Sequence, residues 1–343
     1  MEILVAFARI YFYNNEKEET AERFWTEKKA RPFWVQTPCG KGAGVHMKIK
    51  RTAVAVCLLA VLLAACGGAP PSRGMQQRIV PEIKVAEFHA ESAMAADTVQ
   101  LDVSAAAQGY IGVCAQSESR LKFQVTFAEN KYNYNMQGDG TPLLVPLQFG
   151  SGTYLLRVMQ NVVEDKYVEL YAYTLKVQLD DAFLPFLYAN TVVPFTADSA
   201  STKKAQELCA GAATDTEAVC AIYDYIREDI AYDYALAQSA PKEYYANPDA
   251  TLAAGKGICI DYATLAAAML RSQGIPAKLI TGYVGEENLY HAWNLFYTEE
   301  SGWVTAEISA PANEWQRIDI TLAATDGTGV AGDGSSYTDR YVY

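Results

Sequence analysis

Hydrophobic and polar positions along this chain change rhythm twice. Lys48, Lys50 and Arg51 are followed by an apolar run over residues 52–65. From about residue 79 to 179 a period of two dominates. Residues 121–127 place Leu121, Phe123, Val125 and Phe127 on one face, the mark of a half-buried strand. Residues 98–103, 110–115, 143–149, 154–159 and 167–179 read as further strands. Gly138-Asp139-Gly140 and Gly150-Ser151-Gly152 supply turns between them. Short strands at this spacing predict an all-β, Ig-like sandwich of about seven strands over residues 79–180. Its histidine, His89, has no chemistry around it and reads as structural or exposed.

Beyond Asp198 the period lengthens to that of helices. Residues 199–210 form one helical pattern, and Gly211 ends it. Thr214 and Glu217 then make a capping-box signature. Val219, Ile222, Tyr223, Ile226 and Ile230 follow on one face. Residues 235–248, with several Tyr and two Pro, read as a loop. The next helix is expected over 259–273, stopped by Gly274 and Pro276. Residues 277–284, 290–297, 303–308 and 315–319 then read as antiparallel strands, so residues 181–343 form an α+β domain.

The early apolar run is too short for the ~20 residues of a membrane-spanning helix. With its basic flank and the Cys66-Gly67-Gly68 that follows, it has the layout of a secretory signal over 47–65. Leu63-Ala64-Ala65-Cys66 resembles the bacterial lipobox, which implies cleavage before Cys66 and lipidation there. Translation is then expected to begin at Met47, with residues 1–46 a mis-started, non-native extension. Residues 66–78 are rich in Gly and Pro and form a tether. The implied location is the outer face of a cell membrane, held by the lipid.

Export sharpens the charge. Of the 28 basic and 40 acidic residues, 10 and 6 precede Gly67, so the remainder carries −16. No basic patch survives, which excludes nucleic acid as a partner. The remaining cysteines are Cys114, Cys209, Cys220 and Cys259. They form no C-x-x-C pair, and with three His in the chain no metal site is expected. Cys209 and Cys220 either pair as a disulfide or sit as two buried thiols at a helix contact.

Cys259 stands apart. It follows Gly255 and Gly257 and opens a helix, where unpaired N–H groups and the helix dipole favour negative charge. Thiolate is the reactive form of cysteine. His291 lies in an alternating run with Trp293, Leu295 and Tyr297 on its face. A thiol and an imidazole are the minimum equipment for acyl transfer through a thioester. Taken singly, each is more often an ordinary buried residue.

The segments GKGICIDYATLAAAMLRSQGIPAKLITGY, HAWNLFY and EWQRIDIT occur in this order and together resemble the transglutaminase-like superfamily, in particular its exported bacterial lipoproteins. The resemblance covers about residue 182 to the end. It implies a papain-like core in which the nucleophile opens a helix packed on a sheet that carries His and Asp. It further implies Cys259 as nucleophile, His291 as general base and acid, and Asp319 as the group orienting His291. The motif sets the acid four residues after a Trp, usually followed by Pro-Thr. Asp319 with Thr321 fits, and Glu307, four after Trp303, is the rival. Ile320 departs from the pattern where Pro is usual, at the cost of a rigid turn. Tyr232-Asp233-Tyr234 resembles a cleft-lining segment, although packing accounts for its tyrosines equally well. Tyr283 and Trp293 read as core, and Asp261 points elsewhere on the helix, where it can pair with a neighbour.

The expectation is therefore a thiol enzyme acting on peptide or carboxamide bonds of a protein or peptide, cell-wall peptides included. Water as acceptor gives hydrolysis, and an amine gives transamidation. The rival expectation is a non-catalytic binding or scaffold protein on the same fold. No cofactor is expected, nor a calcium loop. The Cys259 backbone N–H is the first oxyanion donor, and the sequence does not identify a second.

Overall fold

The computed structural model describes residues 78–241, 244–286, 288–303, 309–325 and 335–343. Cys66 with the signal and tether, Glu307, and the run 326–333 lie outside the described residues. Among the described residues no helix is long and apolar enough to cross a membrane.

The β-rich region holds two four-stranded antiparallel sheets. Its strands are β1 (Met94–Ala96), β2 (Val99–Asp102), β3 (Tyr110–Ala115), β4 (Leu121–Phe127), β5 (Asn130–Met136), β6 (Leu143–Pro146), β7 (Gly152–Val163) and β8 (Lys166–Val177). One sheet runs β1-β2-β3-β6 and the other β5-β4-β7-β8. Leu121, Phe123 and Val125 point inward, as their alternation requires, and meet Ile111, Val113 and Val145 from the facing sheet. Strand β5 escaped the sequence reading. Its inward residues are Tyr132, Tyr134 and Met136, and the intervening asparagines, poor strand formers, blur the pattern. Arg78 to Val85 do not begin the sandwich, whereas Ala86 packs with Tyr110 and Leu144 of its strands. Arg78 pairs with Asp215, and Ile83 and Val85 pack on the helices of the second region.

That region begins with α1 (Ala200–Cys209) and α2 (Asp215–Asp229). Thr214 caps α2 by accepting the Glu217 N–H at 3.1 Å, an arrangement worth about 1 kcal/mol. Glu217 reaches back to the Ala213 N–H at 2.7 Å, completing the turn. Cys209 is a free thiol whose S–H faces the Ala218 carbonyl at 3.7 Å, so it is not bridged to Cys220. The expected loop over 235–248 is in part helical. After β9 (Ala231–Tyr232) come α3 (Tyr234–Ser239) and α4 (Pro248–Ala254), each capped by a side chain, Asp233 and Asn247.

Then follow β10 (Lys256–Gly257) and the central helix α5 (Cys259–Ser272), buried from Asp261 to Ser272. A helix apolar on every face needs neighbours all round. Helices α1 and α2 cover one side and a sheet the other. That sheet has the order β15-β12-β11-β16, built from β11 (Ala277–Val284), β12 (Leu289–Thr298), β15 (Glu314–Ile318) and β16 (Tyr337–Val342). Between β12 and β15, β13 (Gly302–Trp303) pairs with β14 (Ser309–Ala310), a hairpin rather than a member of the main sheet. Strand β15 stops one residue short of the expected 315–319. Asp319 leaves the strand and opens α6 (Ile320–Thr325), where its Oδ1 accepts the Leu322 N–H at 3.1 Å. Ile320 thus occupies the first helical position, where proline is also at home. Its side chain is buried in the core instead.

Strand β16 joins the two regions. Tyr343, just past its end, packs against both cores, as does Val192. Arg271 of α5 clamps the junction from within. Its guanidinium donates to the carbonyls of Ala277, Tyr188 and Tyr343, each at 3.0 Å. Burial pushes that guanidinium down to about 9.

Candidate active site

The turn before α5 is built by contacts that only certain residues permit. Gly255 ends α4 at φ +62°, a left-handed position that favours glycine. A Cβ on Gly257 would stand 2.5 Å from the Asp261 Cβ. That close approach lets Asp261 reach back, and its Oδ2 accepts the Ile258 N–H at 2.8 Å. Its Oδ1 accepts the Tyr244 O–H, also at 2.8 Å. Asp261 thus pairs with its neighbours, as expected, and does so back across the turn. It is buried and fixes the turn that presents the next residue, Cys259. Burial raises its carboxyl above the usual range, against the pull of the Ile258 N–H and the Tyr244 hydroxyl.

Cys259 is the first residue of α5, a free thiol and only partly buried. Its backbone N–H has no partner within the helix. Asn294 sets which part of the sheet it meets. The Asn294 amide donates to the Ala263 carbonyl at 2.9 Å, tying the helix to β12. One helical turn back is Cys259, about 5.4 Å away. Three strand residues back is His291, about 10 Å away. The helix tip and the strand bring Cys259 into the electrostatic surroundings of the His291 ring.

Asp319 arrives by register. Ile318 pairs with Asn294, so Asp319 falls level with Trp293, on the face that His291 shares. The His291 Nε2 meets Asp319 Oδ2 at 2.8 Å, with both side chains buried. Burial opposes charge on the imidazole. The Asp319 charge and hydrogen bond, followed by those of Cys259, outweigh it and push the ring up to about 10.

Two further groups complete the surroundings. The Tyr337 hydroxyl donates to the same Asp319 Oδ2 at 2.8 Å. Tyr232 pairs through its backbone with Gly257, next to the nucleophile's turn. Burial raises its phenol well above the tyrosine range, and the neighbouring Cys259 adds to that. Tyr232 is thus a neutral O–H donor beside the thiol. Trp293 is buried core, as expected, its ring stacked 6.3 Å from His291. His89 lies apart in the sandwich, where its backbone N–H donates to Asp102 at 2.8 Å.

The structure joins His291 directly to Asp319 and sets Cys259 where it acts electrostatically on the same ring. Tyr337 and Tyr244 were missed from sequence. The alternation Tyr337, Asp339, Tyr341 was the available signal for the first.

Residues 202–308 match the family model of the transglutaminase-like superfamily. No curated protein matches the chain. Among solved structures it is similar to a candidate cysteine protease from Cytophaga hutchinsonii, at 16% identity and TM-score 0.34, over 67% of this chain and 80% of that one. A candidate protease from Parabacteroides distasonis matches at 14% identity and TM-score 0.25, over 55% of this chain and 38% of that one. Red sea bream transglutaminase matches at 12% identity and TM-score 0.27, over 62% and 48%. Residues 202–308 are a transglutaminase-like domain, preceded by a β-rich region of antiparallel sheets.

Proposed function

We propose that this protein is a thiol enzyme that cleaves or transfers acyl groups at peptide or carboxamide bonds, carried on the outer face of a membrane by a lipid at Cys66. The observation that carries the chemistry is the buried His291–Asp319 pair, with Cys259 at the head of α5 acting on the same ring. In the first half-reaction the Cys259 sulfur attacks the carbonyl carbon, and the C=O electron pair moves onto oxygen. When the tetrahedral centre collapses, the C–N bond breaks and His291 gives its Nδ1 proton to the leaving amine. A thioester remains on Cys259. In the second, water or an amine gives a proton to His291 and attacks the thioester, and the thiolate leaves.

Asp319 holds the imidazole in one orientation and stabilises its cation. The oxyanion needs donors aimed at it. The Cys259 N–H at the head of α5 is the first, and the Tyr232 phenol is the side chain we assign as the second. Its backbone lies beside the Gly257 turn, and burial keeps its proton.

For an exported protein in bulk water, hydrolysis is the favoured outcome. The natural substrate is a protein or peptide, with cell-wall peptides in the same class. Glutamine-containing and wall-type peptides, incubated with and without a labelled primary amine, test the reading. Free carboxylate or incorporated amine, lost in Cys259→Ala, is the expected result. Binding of a wall peptide by both forms with no product from either would instead support a scaffold role.

A further inference from the structure

We propose that Tyr337 is a positioning residue of this site: its hydroxyl, delivered by β16, fixes the Asp319 carboxylate that in turn fixes His291. The proposal rests on the acyl-transfer reading above. Asp319 Oδ2 accepts two bonds, from His291 Nε2 and from the Tyr337 hydroxyl, both at 2.8 Å. Its Oδ1 accepts only the Leu322 N–H among the described residues. Asp319 is 0% exposed, so water cannot substitute for a lost donor without entering a packed site. Without the tyrosine hydroxyl, one backbone anchor remains and the carboxylate is free to turn about its last bond.

Tyr337 is itself held firmly. Its ring meets Trp293 edge-on at 4.9 Å, and the Arg317 guanidinium lies over it at 4.7 Å. Its backbone pairs with Val284 of β11. About 17 Å further along the same strand, the Val342 N–H donates to the Tyr132 hydroxyl of the sandwich at 2.9 Å. The Tyr341 ring packs on Tyr132 at 4.9 Å. One short strand therefore touches the β-rich region at one end and the reacting group's carboxylate at the other. This gives the sandwich a part in the chemistry without any contact between it and the thiol.

The charged and titratable groups facing the His291–Asp319 pair are Cys259 from α5, Tyr337 from β16 and, across the Tyr337 ring, Arg317 from β15. Removing the hydroxyl has two opposed effects. It leaves more charge on Oδ2, which strengthens its hold on the imidazolium. It also lets the carboxylate turn, which weakens that hold. A positioning role means that the second effect wins.

The test is the pH dependence of Cys259 carboxymethylation by iodoacetate, with the labelled peptide identified by mass. Iodoacetate is an anion drawn by the imidazolium, so its rate falls when His291 loses its proton. The wild type is expected to lose rate towards pH about 10. Tyr337→Phe keeps the ring against Trp293, and its folding is checked by near-ultraviolet circular dichroism. Its falling limb is expected about one unit lower, with p-nitrophenyl acetate hydrolysis about 10-fold slower. A limb that stays in place or moves up overturns the proposal. If Tyr337→Phe does not fold, Tyr132→Phe is read instead, since it loosens only the far end of β16. A lowered limb there supports the proposal, and an unmoved one overturns it. A wild type with no falling limb would defeat the acyl-transfer reading itself, a distinguishable failure.

Discussion

The His291 ring titrates well above the usual imidazole range, and the consequences can be worked out in sign. The folded ring, up to about 10 from the usual 6.5, binds its proton more tightly than the unfolded one. Its contribution to stability is complete below pH about 6.5 and is lost as the pH rises towards 10. In the wild type Cys259 contributes to the same shift. A Cys259→Ala background leaves the Asp319 contribution. There, stability should fall with pH above 6.5, approaching about 1.4 kcal/mol per unit, and His291→Gln in the same background should flatten it. Equal slopes in denaturant titrations of the two proteins would contradict the assignment. Asp319→Asn should slow any turnover by on the order of 10³–10⁴-fold, as loss of an orienting carboxylate does elsewhere. At this scale the sequence was informative where chemistry needs rare residue types. Cys259 and His291 could be picked out, and a Trp-spaced acid could be chosen over its rival. Tyr337 and Tyr244 could not, because tyrosine is common in this chain, at 23 residues, and packing explains most of them.

At the scale of elements, the turn Gly255 to Cys259 decides whether the thiol is presented at all. Gly257→Ala puts a methyl 2.5 Å from the Asp261 Cβ. The helix cannot move away, since α5 is packed on all sides. The expected cost is about 1–3 kcal/mol, read as a lowered denaturation midpoint, together with slower Cys259 alkylation. Unchanged alkylation would mean that the Asp261 turn does not aim the nucleophile. Helices with caps and stops, such as α2 and α5, were legible because their signals are local. The end of β15 was not. The strand reading ran through Asp319, where the bonds from the Leu322 N–H to its side chain and from the Ala323 N–H to its carbonyl show that the chain has already turned into a helix. The pairing of strand β16 was hidden for a different reason. This is an edge strand whose partner, β11, lies more than fifty residues earlier, and no local pattern encodes that pairing.

Across the whole molecule, two cores share Tyr343 and Val192, and Arg271 ties α5 to both the Tyr188 segment and the end of β16. One cooperative thermal transition is the expected behaviour. Tyr343→Ala, costing about 3 kcal/mol, should divide it into two, and a single transition in both proteins would show that this contact does not couple the regions. The change of period after Asp198 foretold an all-β part followed by an α+β part. How the two meet rests on aromatic contacts between distant segments, which periodicity does not record. The account as a whole turns on whether Cys259 can carry an acyl group. Intact-protein mass spectrometry after brief exposure to p-nitrophenyl acetate reads this directly. One acetyl group on the Cys259 peptide is expected, absent in Cys259→Ala and formed much more slowly in His291→Ala. No adduct on Cys259, or one that forms as fast without His291, would contradict the account.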